Sequence, residues 1–292
     1  MKFASLYVAM FLAAIAWSQI EHPKASPFSR LEQEVGLSKI IVEYSRPATK
    51  GRTIFGNRPD GQPGLVPYGR IWRVGANEST KITFDSDIEI LNNILPKGTY
   101  ALYAFPEADT WEIVFHTNIS HWGDGRTAYN PEEDALRIKA KPIKTLDFQE
   151  NFLISFDALS HDAVTMIWHW ARTKIEVPIK INTREVMERQ IQDKLKNNPT
   201  AQTYYEIARY YQEQGIKYTE ALTYLNKAIA LGGDTYYFYR VKSLVEGELK
   251  DYASAIQSAQ TSLNLADKEG KDEFVRMNQK NIRRWKELVK NK

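Results

Sequence analysis

The segment VTMIWHW, residues 164–170, has a period of two with one side more apolar than the other. The more apolar side carries Val164, Met166, Trp168 and Trp170, and the other carries Thr165, Ile167 and His169. A period of two places successive side chains on opposite faces of a β-strand, so the pattern predicts a half-buried strand. Its tryptophans are expected in a core between sheets.

The same period recurs in short runs from about residue 29 to 182, each bounded by Gly, Pro, Asn or Asp. The runs read SKIIVEY, KITFD, DIEIL, TYALYAF, WEIVFH, NFLISF and KIEVPIKI. In WEIVFH, Trp111 falls on the apolar side and His116 on the other. Pro178 suits an edge strand. Roughly ten strands without a long helical period predict an all-β antiparallel sandwich, jelly-roll-like in type.

After residue 183 the apolar positions follow a helical period and repeat at a constant offset. Tyr204 corresponds to Phe238, Ile207 to Val241, Tyr211 to Val245, Ala221 to Ala255, Leu222 to Ile256 and Leu231 to Leu265. An offset of about 34 residues, with alanines where helices cross, resembles the tetratricopeptide repeat. The resemblance implies an all-α helical repeat domain that binds another protein. The tyrosine candidates for that contact are Tyr204, Tyr211, Tyr236 and Tyr237.

This resemblance has departures. Lys242 and Ser262 replace small residues, and no proline follows Leu231. Two repeats are also fewer than the three or so that a free-standing array needs. Further helices at residues 183–196 and near the end of the chain are expected to complete the stack. The alternative is a short helical appendage packed on the β-domain.

Length and charge limit the classes of function that the chain can have. The chain has 292 residues, with 39 Lys and Arg against 36 Asp and Glu, and a net charge of +3. Nucleic-acid binding is not expected, because it usually requires a clustered basic face. The length allows two domains, which we place at residues 19–182 and 183–292.

The first 18 residues have the pattern of a signal peptide. Lys2 precedes an apolar run at residues 3–16, and Ala16 and Ser18 are the small residues of a cleavage site before Gln19. A membrane anchor is the alternative, but the run is shorter than the ~20 residues that span a bilayer. We expect export to the periplasm or the exterior of a Gram-negative bacterium, and no membrane span in the mature chain. With 0 cysteines, the protein has no disulfides.

Several unusual sequence segments in the β-half resemble those of a family known as domain of unknown function 2911. They are YSRPATKGRTIFG, LVPYGRIWRVGANEST, LPKGTYALYAFP and HWGDG, and the similarity covers about residues 26–181. The family occurs in exported Gram-negative proteins, and the resemblance implies no activity. This chain carries an insertion, NRPDGQPG, between Gly56 and Leu65, and Ala171 stands where an acidic residue is expected.

The segments SRPATKGR and IWRVGANE are rich in cationic, aromatic and amide side chains. The ligand candidates, with one tryptophan from HWGDG, are Arg46, Lys50, Arg52, Trp72, Arg73, Asn77, Glu78 and Trp122. Guanidinium groups suit carboxylates or phosphates, and exposed tryptophans suit sugars. A structural clamp is the open alternative, in which Arg73 pairs with Glu78 or another carboxylate and Asn77 hydrogen-bonds turn backbone. Trp72 and Trp122 are expected to be the exposed tryptophans, and Trp111 a core residue.

Metal binding is a less favoured interpretation. His116, His121 and Asp124 are the metal candidates, but no third strong ligand is evident nearby. A solvent-facing strand end explains the same residues. The carboxylates of Glu132, Glu133 and Asp134 are expected to be solvated in a charged loop.

Together these patterns predict an exported, non-catalytic binding or scaffold protein without a cofactor. The helical repeats would dock a protein partner, and the β-domain would recognise a small anionic or carbohydrate ligand. The alternative is an envelope glycan hydrolase, which needs two carboxyls about 5 to 9.5 Å apart. Enzyme activity is the less favoured prediction, because no nucleophile elbow or phosphate-binding glycine loop occurs.

Overall fold

The computed structural model describes residues 22–121, residue 123 and residues 127–290. The chain forms two compact units that divide between Arg184 and Glu185. The predicted signal peptide and its cleavage point lie outside the described residues. Within the described part of the chain, no helix combines the length and apolar character that a membrane crossing requires.

In the described part of the first unit, ten strands form two antiparallel sheets. They are β1 Phe28–Val35, β2 Ser38–Ser45, β3 Thr80–Phe84, β4 Ile88–Ile90, β5 Asn93–Leu95, β6 Gly98–Phe105, β7 Trp111–His116, β8 Asp134–Ala140, β9 Ile143–Asp157 and β10 Ala163–Ile181. One sheet has the order β1-β2-β3-β6-β7-β8, and the other has the order β5-β4-β10-β9. The predicted antiparallel β-domain is confirmed.

Alternate residues of both sheets meet in one shared core. Trp111 comes from the six-stranded sheet, and Trp168 and Trp170 come from the four-stranded sheet. Each of the three is at most 2% exposed, as the period of two predicts. Burial of such large side chains contributes several kcal/mol each, which makes this core the main support of the unit.

Strand β10 is interior, so the expectation that Pro178 marks an edge strand is wrong. The strand pairs with β9 as far as Lys174 and with β4 from Lys180 onward. Pro178 lies between these two paired stretches. Its missing N–H therefore removes no ladder hydrogen bond at that position.

The described residues of the second unit form six helices, the first of which begins just before the boundary between the units. They are α1 Thr183–Lys196, α2 Ala201–Glu213, α3 Tyr218–Ala230, α4 Tyr236–Glu248, α5 Tyr252–Lys268 and α6 Asp272–Lys290. From α2 onward each helix packs on the next along the chain, and α2 also contacts α4. A β-domain followed by a helical repeat domain is thus confirmed as the fold class.

Local sequence sets the helix starts, and small residues allow the helices to approach. The Thr200 hydroxyl accepts a hydrogen bond from the Thr203 amide at 3.2 Å, and the Asp251 carboxylate accepts one from the Ser254 amide at 3.2 Å. Such caps satisfy amides that have no partner within the helix. At the crossings the buried alanines are Ala208, Ala221, Ala228, Ala255 and Ala259.

Two phenylalanines on β9 test the position of the core. Phe152 is 1% exposed and Phe148 is 53% exposed. We expect Phe152→Ala to lower the free energy of unfolding by about 3–5 kcal/mol, because it removes a packed ring and leaves a cavity. Phe148→Ala is the matched control and should cost at most about 1 kcal/mol. Urea unfolding of both variants measures the difference, and equal losses would contradict the described core.

Candidate functional site

The long connection between β2 and β3 borders a cavity of about 240 Å³ in the β-unit. Arg52, Arg73 and Asn77 supply polar groups to its wall, and Trp72 and Trp170 supply apolar surface. All of these side chains except Trp170 belong to the segments SRPATKGR and IWRVGANE, which predicted a ligand site. The cavity therefore brings together one part of the predicted cluster.

A tight turn holds the second half of this connection against the sheet. Val74 and Asn77 have φ angles of 53° and 63°, and Gly75 has a φ of 147°. A Cβ on Gly75 would lie 2.9 Å from the carbonyl oxygen of Ser45, so only glycine fits there. The Thr80 amide donates to the carbonyl of Arg73 at 3.1 Å and closes the turn.

Trp72 is buried, so the expectation that it is exposed is wrong. It is 6% exposed, and its ring stacks on Trp170 at 5.9 Å between centroids. An isolated bridge pairs Trp72 with Ala104 of β6, and Nε1 of Trp72 donates to the Gly75 carbonyl at 3.2 Å. These contacts draw the ring into the core, where it cannot act as an open platform for a sugar. Trp122 lies outside the described residues.

Arg73 does not form the expected ion pair. Its Nη1 donates to the backbone carbonyl of Asn77, and Glu78 is exposed. Among the described residues, no carboxylate lies within 4.0 Å of the Arg73 guanidinium. Asn77 does act as a clamp, since its Nδ2 donates to Ser45 Oγ at 3.0 Å and to the Ser26 carbonyl at 3.3 Å. The cluster thus combines a clamp at Asn77 with a cation at Arg73.

Backbone carbonyls also hold Arg52. Its Nε donates to the Thr49 carbonyl at 2.9 Å, and Nη2 donates to the Ala48 carbonyl at 2.7 Å. The nearby Glu150 carboxylate accepts from the Thr49 hydroxyl and from the Lys50 amide. These hydrogen bonds, led by that from Thr49, lower the pKa of Glu150. Arg52 is therefore fixed in place without a directly bonded carboxylate among the described residues.

The other two cations of SRPATKGR do not line the cavity. Nε of Arg46 donates to the Phe152 carbonyl at 3.0 Å, which ties the end of β2 to β9. Lys50 is exposed and has a φ of 48° in the turn after the bridge at Ala48. Arg46 has a structural role, and Lys50 lies on the surface.

A second polar cluster lies on the outer face of the six-stranded sheet, where β7 meets β8. His116 is 0% exposed, so the interpretation as a solvent-facing strand end is wrong. Tyr129, from the connection after β7, packs over it with ring centroids 5.1 Å apart, and Tyr103 of β6 lies beside it. The connection between β7 and β8 thus covers the outer face of the sheet, to which the period of two assigns His116.

A register shift sets the partner of His116. Pairing runs from Trp111 opposite Ala140 to Phe115 opposite Leu136, and then His116 faces Asp134. This β-bulge skips Ala135 and turns the Asp134 carboxylate toward the histidine. Nδ1 of His116 lies 3.0 Å from Oδ1 of Asp134, whose side chain is 10% exposed. The expectation that Asp134 is solvated is wrong for this reason.

Asp134 has further donors. The Tyr129 hydroxyl lies 2.9 and 2.7 Å from its two oxygens, and Nη2 of Arg137 lies 2.8 Å from Oδ2. Burial, followed by the hydrogen bond to Asp134, raises the pKa of Tyr129 above its usual range. Tyr129 therefore stays protonated at neutral pH and donates to the carboxylate.

Glu133 and His121 complete this cluster. Oε2 of Glu133 lies 3.3 Å from Nε2 of His116, and one ligand atom from each of these three residues lies within 4.8 Å of the others. Glu133 is not among the predicted metal ligands, although it directly precedes β8, the neighbour of the strand that ends at His116. The expectation that it is fully solvated is wrong, since it is half-buried, whereas Glu132 is exposed. Asp124 lies outside the described residues.

In the helical unit, the proposed contact tyrosines differ in exposure. Tyr211 is 2% exposed and belongs to the core, so it is not accessible to a partner. Tyr204 stacks on Tyr224, with centroids 5.7 Å apart. Tyr236 packs edge-on against Phe274 of α6 at 4.7 Å. These three tyrosines serve mainly to pack helices together.

Tyr237 lines a groove along α2, α4 and α6, together with residues that the sequence did not single out. These include Tyr205, Arg209, Arg240 and Phe274. Arg209 pairs with Glu213 at 2.7 Å, but no described carboxylate lies within 4.0 Å of Arg240. Burial lowers the pKa of Arg240, an effect that the charge of Glu273 opposes.

A family model described as "Protein of unknown function (DUF2911)" matches residues 26–179. This match covers the strands of the β-unit as far as residue 179, within β10, and includes both polar clusters. Neither a curated protein nor a solved structure matches the chain.

The contacts of Arg73 predict a small effect on stability. We expect Arg73→Met to lower the free energy of unfolding by about 1–1.5 kcal/mol, because one hydrogen bond to a carbonyl is lost. Urea midpoints of the variant and of the exposed neighbour variant Arg70→Met provide the comparison. A loss of about 3 kcal/mol or more, the scale for breaking a buried ion pair, would instead identify Arg73 as a structural clamp.

Proposed function

The chain belongs to the DUF2911 family of proteins of unknown function, and we propose that its β-unit is a non-catalytic binding domain for a small anionic ligand. In this proposal the signal-peptide pattern at residues 1–18 directs export, and the ligand is met in the periplasm or outside the cell. The helical unit, of tetratricopeptide-like type, docks a protein partner.

One observation carries the ligand proposal: two guanidinium groups share a cavity without a carboxylate among its described lining residues. In the part of the chain that the structure describes, Arg73 uses one N–H and Arg52 uses two in hydrogen bonds to carbonyls. A guanidinium has five N–H donors, so both retain donors for a bidentate contact. A carboxylate or a phosphate could accept hydrogen bonds from these remaining N–H groups.

The cavity also sets the size and the chemistry of the ligand. About 240 Å³ is below the usual range of drug-sized sites, so a small molecule is favoured. The edges of Trp72 and Trp170 add an apolar wall, which suits an acid with a carbon skeleton such as a sugar acid. A hydrolase finds less support here, because it requires a carboxylate pair at its site.

Calorimetric titration with citrate, inorganic phosphate and glucuronate tests the proposal, with glucose as the neutral counterpart. At least one of the three anions should bind, and Arg73→Met should weaken its binding about tenfold or more, as loss of a charge-assisted hydrogen bond requires. Arg70→Met, an exposed change in the same segment, should leave binding unchanged. Failure of all three anions, or equal weakening by Arg70→Met, would contradict the proposal.

A separate observation supports partner docking in the helical unit. Arg240 is half-buried in the groove, its Nη1 contacts Asn278 Oδ1 at 3.4 Å, and the aromatic rings of Tyr205 and Tyr237 lie near it. A partly desolvated cation without a close carboxylate gains most from a charged partner. The proposed occupant is an extended acidic segment whose carboxylate reaches Arg240 while its backbone crosses the aromatic side chains.

Peptide titrations test this docking surface. A short glutamate-rich peptide should bind the protein, and its glutamine counterpart should bind more weakly, because only the former has carboxylates. Arg240→Met should weaken the glutamate peptide about tenfold or more. Arg276→Met, on the exposed side of α6, is the control and should have little effect. Equal affinity for the two peptides, or equal weakening by both variants, would exclude the groove as an acidic-segment site.

A further inference from the structure

His116 lies buried outside the proposed anion cavity, with both of its ring nitrogens placed among polar groups. Nδ1 is 3.0 Å from Oδ1 of Asp134. Tyr129 and Arg137 donate to the Asp134 carboxylate at 2.7–2.9 Å and hold it in place. A neutral imidazole that donates its Nδ1–H to a carboxylate carries its lone pair on Nε2. Asp134 therefore selects the tautomer with a free electron pair on Nε2.

The Nε2 atom has no hydrogen-bond partner among the described residues, although it is buried. Oε2 of Glu133 is 3.3 Å away, but the geometry is not that of a hydrogen bond. A buried polar atom without a partner costs roughly 1–3 kcal/mol, so each one needs a physical explanation, and a bound ion is one of those available. A lone pair that lies beside a carboxylate would be stabilised by a positive charge between the two groups.

His121 repeats the same feature. Its Nδ1 is also buried without a hydrogen-bond partner among the described residues. Its ring centroid lies 5.6 Å from that of His116, and Glu133 lies close to both histidines. Two imidazole nitrogens and one carboxylate oxygen within 4.8 Å of one another form a donor set for one cation.

The dimensions and the donor types select the kind of cation. With metal–ligand bonds of about 2.1 Å, tetrahedral ligands lie about 3.4 Å apart, which agrees with the 3.3 Å between His116 and Glu133. Imidazole donors favour first-row transition metals over Mg²⁺ or Ca²⁺, which take oxygen ligands. Three protein ligands also leave a coordination position for water or another small ligand.

We propose that His116, His121 and Glu133 bind one divalent first-row transition metal ion, and that Asp134 is a positioning residue that orients His116. A carboxylate behind a histidine ligand is the arrangement that fixes ring orientation and raises ligand basicity in metal sites. Tyr129 and Arg137 hold that carboxylate in turn. This metal site is independent of the anion cavity, and neither proposal requires the other.

Co²⁺ titration of the purified protein, prepared without a polyhistidine tag and first treated with a chelator, tests the site. Visible absorption of bound Co²⁺ reports both the affinity and the ligand geometry. The wild type should bind one equivalent, and Zn²⁺ should displace it and raise the melting temperature. Absence of binding at about millimolar Co²⁺, far above the range of specific transition-metal sites, would overturn the proposal.

Variants that preserve folding assign the ligands. His121→Gln and Glu133→Gln should each weaken Co²⁺ binding by more than about 100-fold, and Asp134→Asn by about 10–100-fold with the absorption spectrum retained. The matched controls are Glu132→Gln, at the exposed neighbour of Glu133, and His169→Gln, at a histidine of the other sheet. Both should bind Co²⁺ like the wild type. Unchanged binding in His121→Gln and Glu133→Gln, or an equal loss in the controls, would overturn the proposal.

Discussion

The β-unit depends on the contact between Trp72 and Trp170. The segment between β2 and β3 contains no strand of its own, so its backbone cannot be held by a regular ladder. Stacking of Trp72 on Trp170, with further edge contacts to Trp111 and Phe152, anchors this segment in the shared core. Aromatic contacts of this kind combine large buried area with preferred ring geometry. Arg73 directly follows Trp72 in the sequence, so its position depends on that anchor.

The outer face of the six-stranded sheet shows a different constraint. A sheet face covered only by its own polar side chains would be open to water, but here Ala101, Tyr103 and Val114 form a small buried cluster with Tyr129 over it. The bulge at the start of β8 then turns Asp134 toward His116. Because these polar atoms are buried, leaving one without a partner costs free energy. This cost is why the closeness of His116, His121 and Glu133 points to a bound ion.

The helical unit uses its regular spacing of apolar positions for packing. Successive pairs of helices meet through aromatic rings, as when Tyr205 of α2 stacks on Phe238 of α4 with centroids 4.4 Å apart. Small residues at Ala221 and Ala255 let neighbouring helices approach. The side chains left along α2, α4 and α6 then form a groove, in which Arg240 contacts Asn278 and no described carboxylate lies within 4.0 Å of its guanidinium. Packing between helices thereby determines which polar groups remain available.

The sequence by itself determined the class of each half, because alternation and helical periods are local properties of neighbouring residues. It identified Trp111, Trp168 and Trp170 as core residues and grouped Arg52, Arg73 and Asn77 in one segment. Only the tertiary structure decided that Trp72 is buried, that Tyr211 is inaccessible, and that Arg73 binds a carbonyl instead of Glu78. It also brought Glu133 to His116, since a register shift and a covering connection depend on contacts between distant parts of the chain, which no local period encodes.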